Sequence, residues 1–186
     1  MIGRVCQEEL GTAPFLTALA SKAIEPLFLP TLLFVLAGVV AFATGSSWAT
    51  MSILMPLVIG LAFGLGVDAQ LLDDATASGQ RLVVISVAAV LSGSIFGDHC
   101  SPISDTTVMS SIASASDHID HVRTQAPYAL IVMLISVLVG YVPCTFLGIS
   151  PWLSLLTGAV LVFLLVRFMG RPSACPAADP VESIAP

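Results

Sequence analysis

Apolar residues run along this chain in long blocks separated by short polar islands. Residues 27–66 are almost continuously apolar. As one helix they would extend about 60 Å at 1.5 Å per residue, twice the roughly 30 Å of a bilayer's hydrocarbon core. The segment must therefore turn back. The turning point is Thr44-Gly45-Ser46-Ser47-Trp48-Ala49-Thr50. Each flank is about 16 residues long, short for a full crossing. The pattern predicts a re-entrant hairpin over 27–66, with Trp48 packing its tip.

Residues 67–81 are polar and read as an aqueous loop. Residues 82–116 form the second unusual block. An apolar helix over 82–97, about 24 Å long, meets the polar run Asp98-His99-Cys100-Ser101-Pro102-Ile103-Ser104-Asp105-Thr106-Thr107, and a second helical piece follows over 108–115. Two arms and a break suit a single crossing of core plus headgroups, about 40–45 Å. The pattern predicts a broken transmembrane helix over 82–116. Residues 117–125 read as another aqueous loop, and 127–147 and 151–168 as ordinary spans. Residues 1–26, with Pro14 and Pro26, read as an amphipathic, interfacial lead-in. Glu25 belongs at that interface. Residues 171–186, rich in Pro and Ala, read as a disordered tail.

Composition fixes the solvent. The 186 residues are 56% hydrophobic and 10% charged, against about 25% charged in a soluble domain. So few charges cannot build a water-facing surface, and lipid is the natural surrounding. The fold class is an all-α integral membrane protein: a polytopic helical bundle with a re-entrant hairpin and a broken helix. The net charge of −6 is scattered, which argues against nucleic acid as a partner. The four cysteines form no C-x-x-C and no zinc spacing, and Cys100 reads as a small buried residue. Arg123, Arg167 and Arg171 place the C-terminus on the cytoplasmic side by the positive-inside rule; Arg81 opposes this. The polar start, MIGRVCQEELG, is unlike a secretory signal and reads as an internal segment.

The two polar breaks carry the chemistry. Irregular backbone at membrane depth survives only inside protein or around a wet cavity, and a charge there costs roughly 2.5–3.5 kcal/mol. Asp98 and Asp105 both lie in the second break. They are solvated if the break is a surface loop, and functional if it is buried. Broken helices present carbonyls and hydroxyls to cations at the midplane. The ion-binding candidates are Asp98, Ser101, Ser104, Asp105, Thr106 and Thr107 from the second break, and Ser46, Ser47 and Thr50 from the first. Gly45 and Pro102 shape the breaks. His99 is the candidate proton relay, because an imidazole exchanges a proton near neutral pH; orienting Asp98 is its other possible role. His118 and His121 form H-x-x-H in a loop without thiols, a weak metal signal. A carboxylate that holds either a cation or a proton is a minimal antiport mechanism. A Ser/His or paired-Asp intramembrane protease would need its groups on facing helices; Asp98 and Asp105 share one short break, and G-x-S-x-G is absent. The chain is not read as an enzyme.

The stretches FATGSSWATMSILMP and GSIFGDHCSPISDTTVMSS resemble the two signature regions of the NhaC family of Na+/H+ antiporters, and HIDHVRTQAPYAL resembles the sequence that follows. The resemblance runs from about Phe34 to Leu134. It implies a multi-pass transporter of the bacterial inner membrane, built from inverted repeats that each contain a re-entrant hairpin and a broken helix. The polar centres of 27–66 and 82–116 would then meet near the midplane. The motif positions carried over are Gly45, Ser46, Ser47, Thr50, Asp98, His99, Ser101, Pro102, Ser104, Asp105, Thr106 and Thr107. Members of this family carry a first repeat upstream, so the chain reads as a C-terminal half. It is expected to work with an N-terminal half of the same transporter or as a homo-oligomer.

The expected activity is exchange of Na+ for H+, with Na+ as transported ion and no cofactor. One alternative is an Na+/H+-coupled organic acid exchanger of the malate/lactate type; the absence of Lys and Arg from the apolar runs tilts against it. The other is a non-transporting membrane subunit or remnant.

Overall fold

A computed structural model describes residues 25–70 and 72–169. The lead-in, apart from Glu25 and Pro26, and the tail lie outside the described residues. No strand occurs among those described. A 3-10 turn, Pro26–Phe28, opens α1, Leu29–Thr44. Then come α2, Ser47–Ala69; α3, Ala75–Cys100; α4, Asp105–Ala113; and α5, His118–Ile135. A π-helical turn, Ser136–Tyr141, leads into α6, Val142–Phe146, and α7, Pro151–Met169, ends the described chain.

Among the described residues, five stretches are long and apolar enough to cross a membrane: Pro26–Thr44, Ser47–Ala69, Ala75–Cys100, His118–Phe146 and Pro151–Phe168. An all-helical chain is the expected solution in lipid, where every backbone polar group must find its partner within the chain. The all-α polytopic fold class stands.

Several boundaries differ from the sequence reading. The hairpin turns at Gly45 and Ser46, but its second arm has 23 residues and reaches Ala69. The loop expected over 67–81 is largely helix, because the Asp74 carboxylate accepts from the Thr76 N–H at 2.9 Å and caps α3 at Ala75. The loop expected over 117–125 is also helix. There the Asp117 carboxylate accepts from the N–H groups of Ile119 and Asp120 and starts α5. Such caps satisfy donors that a helix start leaves open. At its other end α3 continues through Asp98, His99 and Cys100, so the break shrinks to 101–104.

The core is a three-helix unit in which α3 packs against both α1 and α2. Leu33, Phe34 and Ala37 of α1, Val58 and Ala62 of α2, and Leu82, Ala89 and Val90 of α3 are buried together. Lipid tails are as apolar as leucine, so close van der Waals packing of small residues drives this contact. Gly93 and Gly97 of α3 lie directly on the Phe34 and Gly38 carbonyls of α1. The Cα of Gly79 stands 2.8 Å from where a Cβ on Gly66 would lie.

The remaining helices attach through fewer contacts. Tyr141 packs on Phe34 at a tilt of 39° with ring centres 5.0 Å apart, and its hydroxyl donates to the Ala88 carbonyl. Phe146 meets Phe28 edge-on at 4.6 Å. The Ser154 hydroxyl of α7 donates to the Val139 carbonyl in the π-helical turn.

Candidate functional site

The hairpin tip and the helix break meet. Ser46 caps α2, its hydroxyl accepting from the Ala49 N–H. Gly45 adopts φ +66°, and a Cβ there would lie 2.8 Å from the Ile103 carbonyl oxygen. Backbone thus touches backbone between the tip and the break. The Ser101 hydroxyl donates to the Phe42 carbonyl at 2.8 Å. These contacts bring Ser47 to the end of α3.

Asp98 lies at that junction and is 4% exposed. Ser104 donates to its Oδ1 at 2.8 Å. Ser47 and Thr106 each donate to its Oδ2 at 3.3 Å. Ser104 and Thr106 also touch one another at 2.8 Å. The carboxylate is therefore ringed by three hydroxyls, one from the hairpin, one from the end of the break and one from the first turn of α4. The described arginines, Arg81, Arg123 and Arg167, are all exposed. An all-oxygen site of one carboxylate and several hydroxyls suits a hard cation.

The other predicted residues divide. Thr50 is buried and donates to the Ser46 carbonyl at 3.0 Å, holding the tip in shape. Ser101 ties the break to α1, and Thr107 is buried one turn into α4. Asp105 is exposed; its Oδ1 accepts from the Thr106 N–H at 2.9 Å, at the start of α4. It takes no part in the ring around Asp98. His99 is exposed as well, and its Nδ1 bonds the Ile95 carbonyl at 2.8 Å. Because α3 remains helical through this point, neighbouring side chains diverge by about 100°, which turns His99 away from Asp98. Trp48 does not pack the tip: it is 80% exposed. Cys100 is buried, as its surroundings suggested.

The sequence reading missed the contact of α5 with the break. The Pro102 carbonyl lies 2.6 Å from Nε2 of His118. This closes 102–118 into a ring, and the start of α5 returns to the break. The H-x-x-H spacing was the available signal, but it read as a weak metal pair. In the structure both Nδ1 atoms face Ser111 Oγ, at 3.1 Å for His118 and 3.2 Å for His121.

Residues 2–148 match the family described as the Na+/H+ antiporter family. The chain belongs to the Na+/H+ antiporter family. It is 37% identical over 128 residues to the arginine/ornithine antiporter ArcD of Halobacterium salinarum, covering 69% of this chain and 24% of that protein. It is 29% identical over 135 residues to the malate-2H+/Na+-lactate antiporter of Bacillus subtilis, covering 70% and 26%. It is 28% identical over 134 residues to the Na+/H+ antiporter NhaC of Alkalihalophilus pseudofirmus, again 70% and 26%. The NhaC resemblance is borne out at the level of the family. The chain spans about a quarter of the length of these relatives. No solved structure matches it. Family membership and five apolar helices among the described residues make this a multi-pass membrane protein.

Proposed function

We propose that this chain is the cation-binding part of a transporter that exchanges Na+ for H+ across the bacterial inner membrane. The carrying observation is the buried Asp98 carboxylate inside a ring of hydroxyls from Ser47, Ser104 and Thr106. When Na+ arrives, the hydroxyl hydrogens turn outward and their lone pairs join the carboxylate around the ion. When a proton arrives, it occupies a carboxylate oxygen that the ion would need. The two cargoes exclude each other, and exclusion at one site is sufficient for exchange. Ser47 rides on the hairpin while Ser104 and Thr106 ride on the break, so relative motion of those two parts assembles or opens the ring. The rest of the translocation path is supplied by an N-terminal half of the same transporter or by a second copy. The C-terminus faces the cytoplasm in this scheme, with Arg123 and Arg167 on that side.

A second reading is coupled exchange of an organic solute. It is favoured by the malate/lactate relative being as similar as NhaC.

The test is proton flux in everted membrane vesicles that contain the chain together with an upstream family segment. NaCl is added alone, then with malate and lactate, then with arginine and ornithine. Proton release on NaCl alone supports cation exchange. Release only with an organic solute moves the proposal to the second reading. No flux in any arm, with the protein inserted, leaves a non-transporting subunit.

A further inference from the structure

The Pro102 carbonyl has lost its helical partner. In a continuous helix it would accept from the Thr106 N–H four residues on, but that N–H bonds Asp105 Oδ1. A carbonyl left open in the protein interior costs about as much as a lost hydrogen bond. His118, the first residue of α5, takes the place of that donor at 2.6 Å. A carbonyl can only accept, so Nε2 of His118 carries a proton. Pro102 stands between Ser101, which is tied to the hairpin, and Ser104, which is tied to Asp98.

Nδ1, the other ring nitrogen, faces Ser111 Oγ at 3.1 Å. Ser111 is buried on α4, and its hydroxyl can also donate to the Thr107 carbonyl at 2.9 Å. With neutral His118, Nδ1 accepts from the Ser111 hydroxyl. With protonated His118, Nδ1–H donates, and the Ser111 hydrogen turns to Thr107. Nε2–H reaches Pro102 in both states. The neighbouring Asp117 carboxylate is engaged with the Ile119 and Asp120 N–H groups. His121 Nε2 lies 3.0 Å from Gln125 Oε1.

We propose that His118 is a positioning residue for the Asp98 site. By holding the Pro102 carbonyl it fixes the break, and with it the Ser104 and Thr106 hydroxyls on the carboxylate. Its grip does not depend on its own charge, as suits a fixed support beside a site whose cargo includes protons. This inference rests on the reading of Asp98 as the cation site.

The test compares His118→Ala with His118→Gln, whose amide N–H can still reach the carbonyl. Two readouts are taken. The first is the Na+ concentration that gives half-maximal proton flux. The second, independent of transport, is the labelling rate of Cys100 by a small membrane-permeant thiol reagent, in a chain carrying C6S, C144S and C175S. Cys100 is buried beside the break, so a loosened break exposes it. His118→Ala is expected to raise the half-maximal Na+ about fivefold, as loss of one hydrogen bond implies, and to speed labelling at least as much. His118→Gln stays near the parent in both. Unchanged labelling in His118→Ala overturns the proposal, and so does equal loosening by His118→Gln. If the parent carries no Na+-linked flux while labelling follows the expected order, the cation-exchange reading fails and the positioning of the break by His118 stands.

Discussion

The Ser101 hydroxyl donates to the Phe42 carbonyl at 2.8 Å, joining positions 59 residues apart in the chain. Phe42 supplies one of the last four carbonyls of α1, which no backbone N–H within the helix can satisfy. Ser101→Ala leaves that carbonyl without its partner. The expected cost is about 1 kcal/mol, a fall of roughly 2–4 °C in midpoint for a chain of this size. Thermal unfolding in detergent checks it; an unchanged midpoint would mean that the bond contributes nothing.

Gly45→Ala is expected to be more damaging. Its φ of +66° disfavours any L side chain, and the new Cβ would stand 2.8 Å from the Ile103 carbonyl oxygen. Strain of this kind costs about 1–3 kcal/mol before the clash is added. The yield of monodisperse protein on size exclusion should drop several-fold. A normal yield would show that the tip can retreat from the break.

Asp98→Asn and Asp105→Asn separate the two carboxylates. Three hydroxyls donate to Asp98, whereas Asp105 is exposed at the start of α4. An amide keeps the size of the carboxylate but removes its charge and turns one acceptor into a donor. Asp98→Asn should abolish Na+-dependent proton release with insertion intact. Asp105→Asn should retain most of it. The reverse result would move the site to Asp105.

Gly97→Ala and Gly158→Ala contrast a packed glycine with an open one. A methyl on Gly97 would fall onto the Gly38 carbonyl, whereas nothing lies within 4 Å of one on Gly158. The first should destabilise by about 2 kcal/mol or more, since overpacking forces backbone to move. The second should be neutral or gain up to about 1 kcal/mol, the ordinary helix preference for alanine. Paired melting curves decide, and similar midpoints would contradict the tight packing of α1 on α3.

Much of this was legible in the sequence. Polarity and glycine placed the hairpin turn at Gly45, and the run from Asp98 to Thr107 marked the second break. Ser47, Asp98, Ser104 and Thr106 were all among the predicted residues, and the structure brings them together. Polarity misled at 75–81 and 118–125, where Asp74 and Asp117 start helices inside what read as loops. His99 and Asp105 stand apart from the ring around Asp98 for one reason. The break begins at Ser101, three residues later than polarity suggested, so Asp98 still has helical phase and Asp105 opens a new helix. Ser101 is extended there, as the residue before a proline tends to be, and its hydroxyl bonds the distant Phe42 carbonyl. Local sequence cannot specify such a contact, nor could it reveal the fold-back that brings His118 to Pro102.

The π-helical turn at Ser136–Tyr141 has a consequence for which side of one rod meets which neighbour. A π-turn accommodates one residue more than an α-turn, so the positions beyond it are rotated by about 100° relative to an unbroken helix. That offset turns Tyr141, at the end of the turn, and Phe146, beyond it, together relative to α5, so that one leans on Phe34 and the other reaches Phe28. The rod therefore carries two sectors out of step with each other. Removing a single residue from the turn would bring them into step and swing the Phe146 ring off its aromatic partner, without changing a single contact residue.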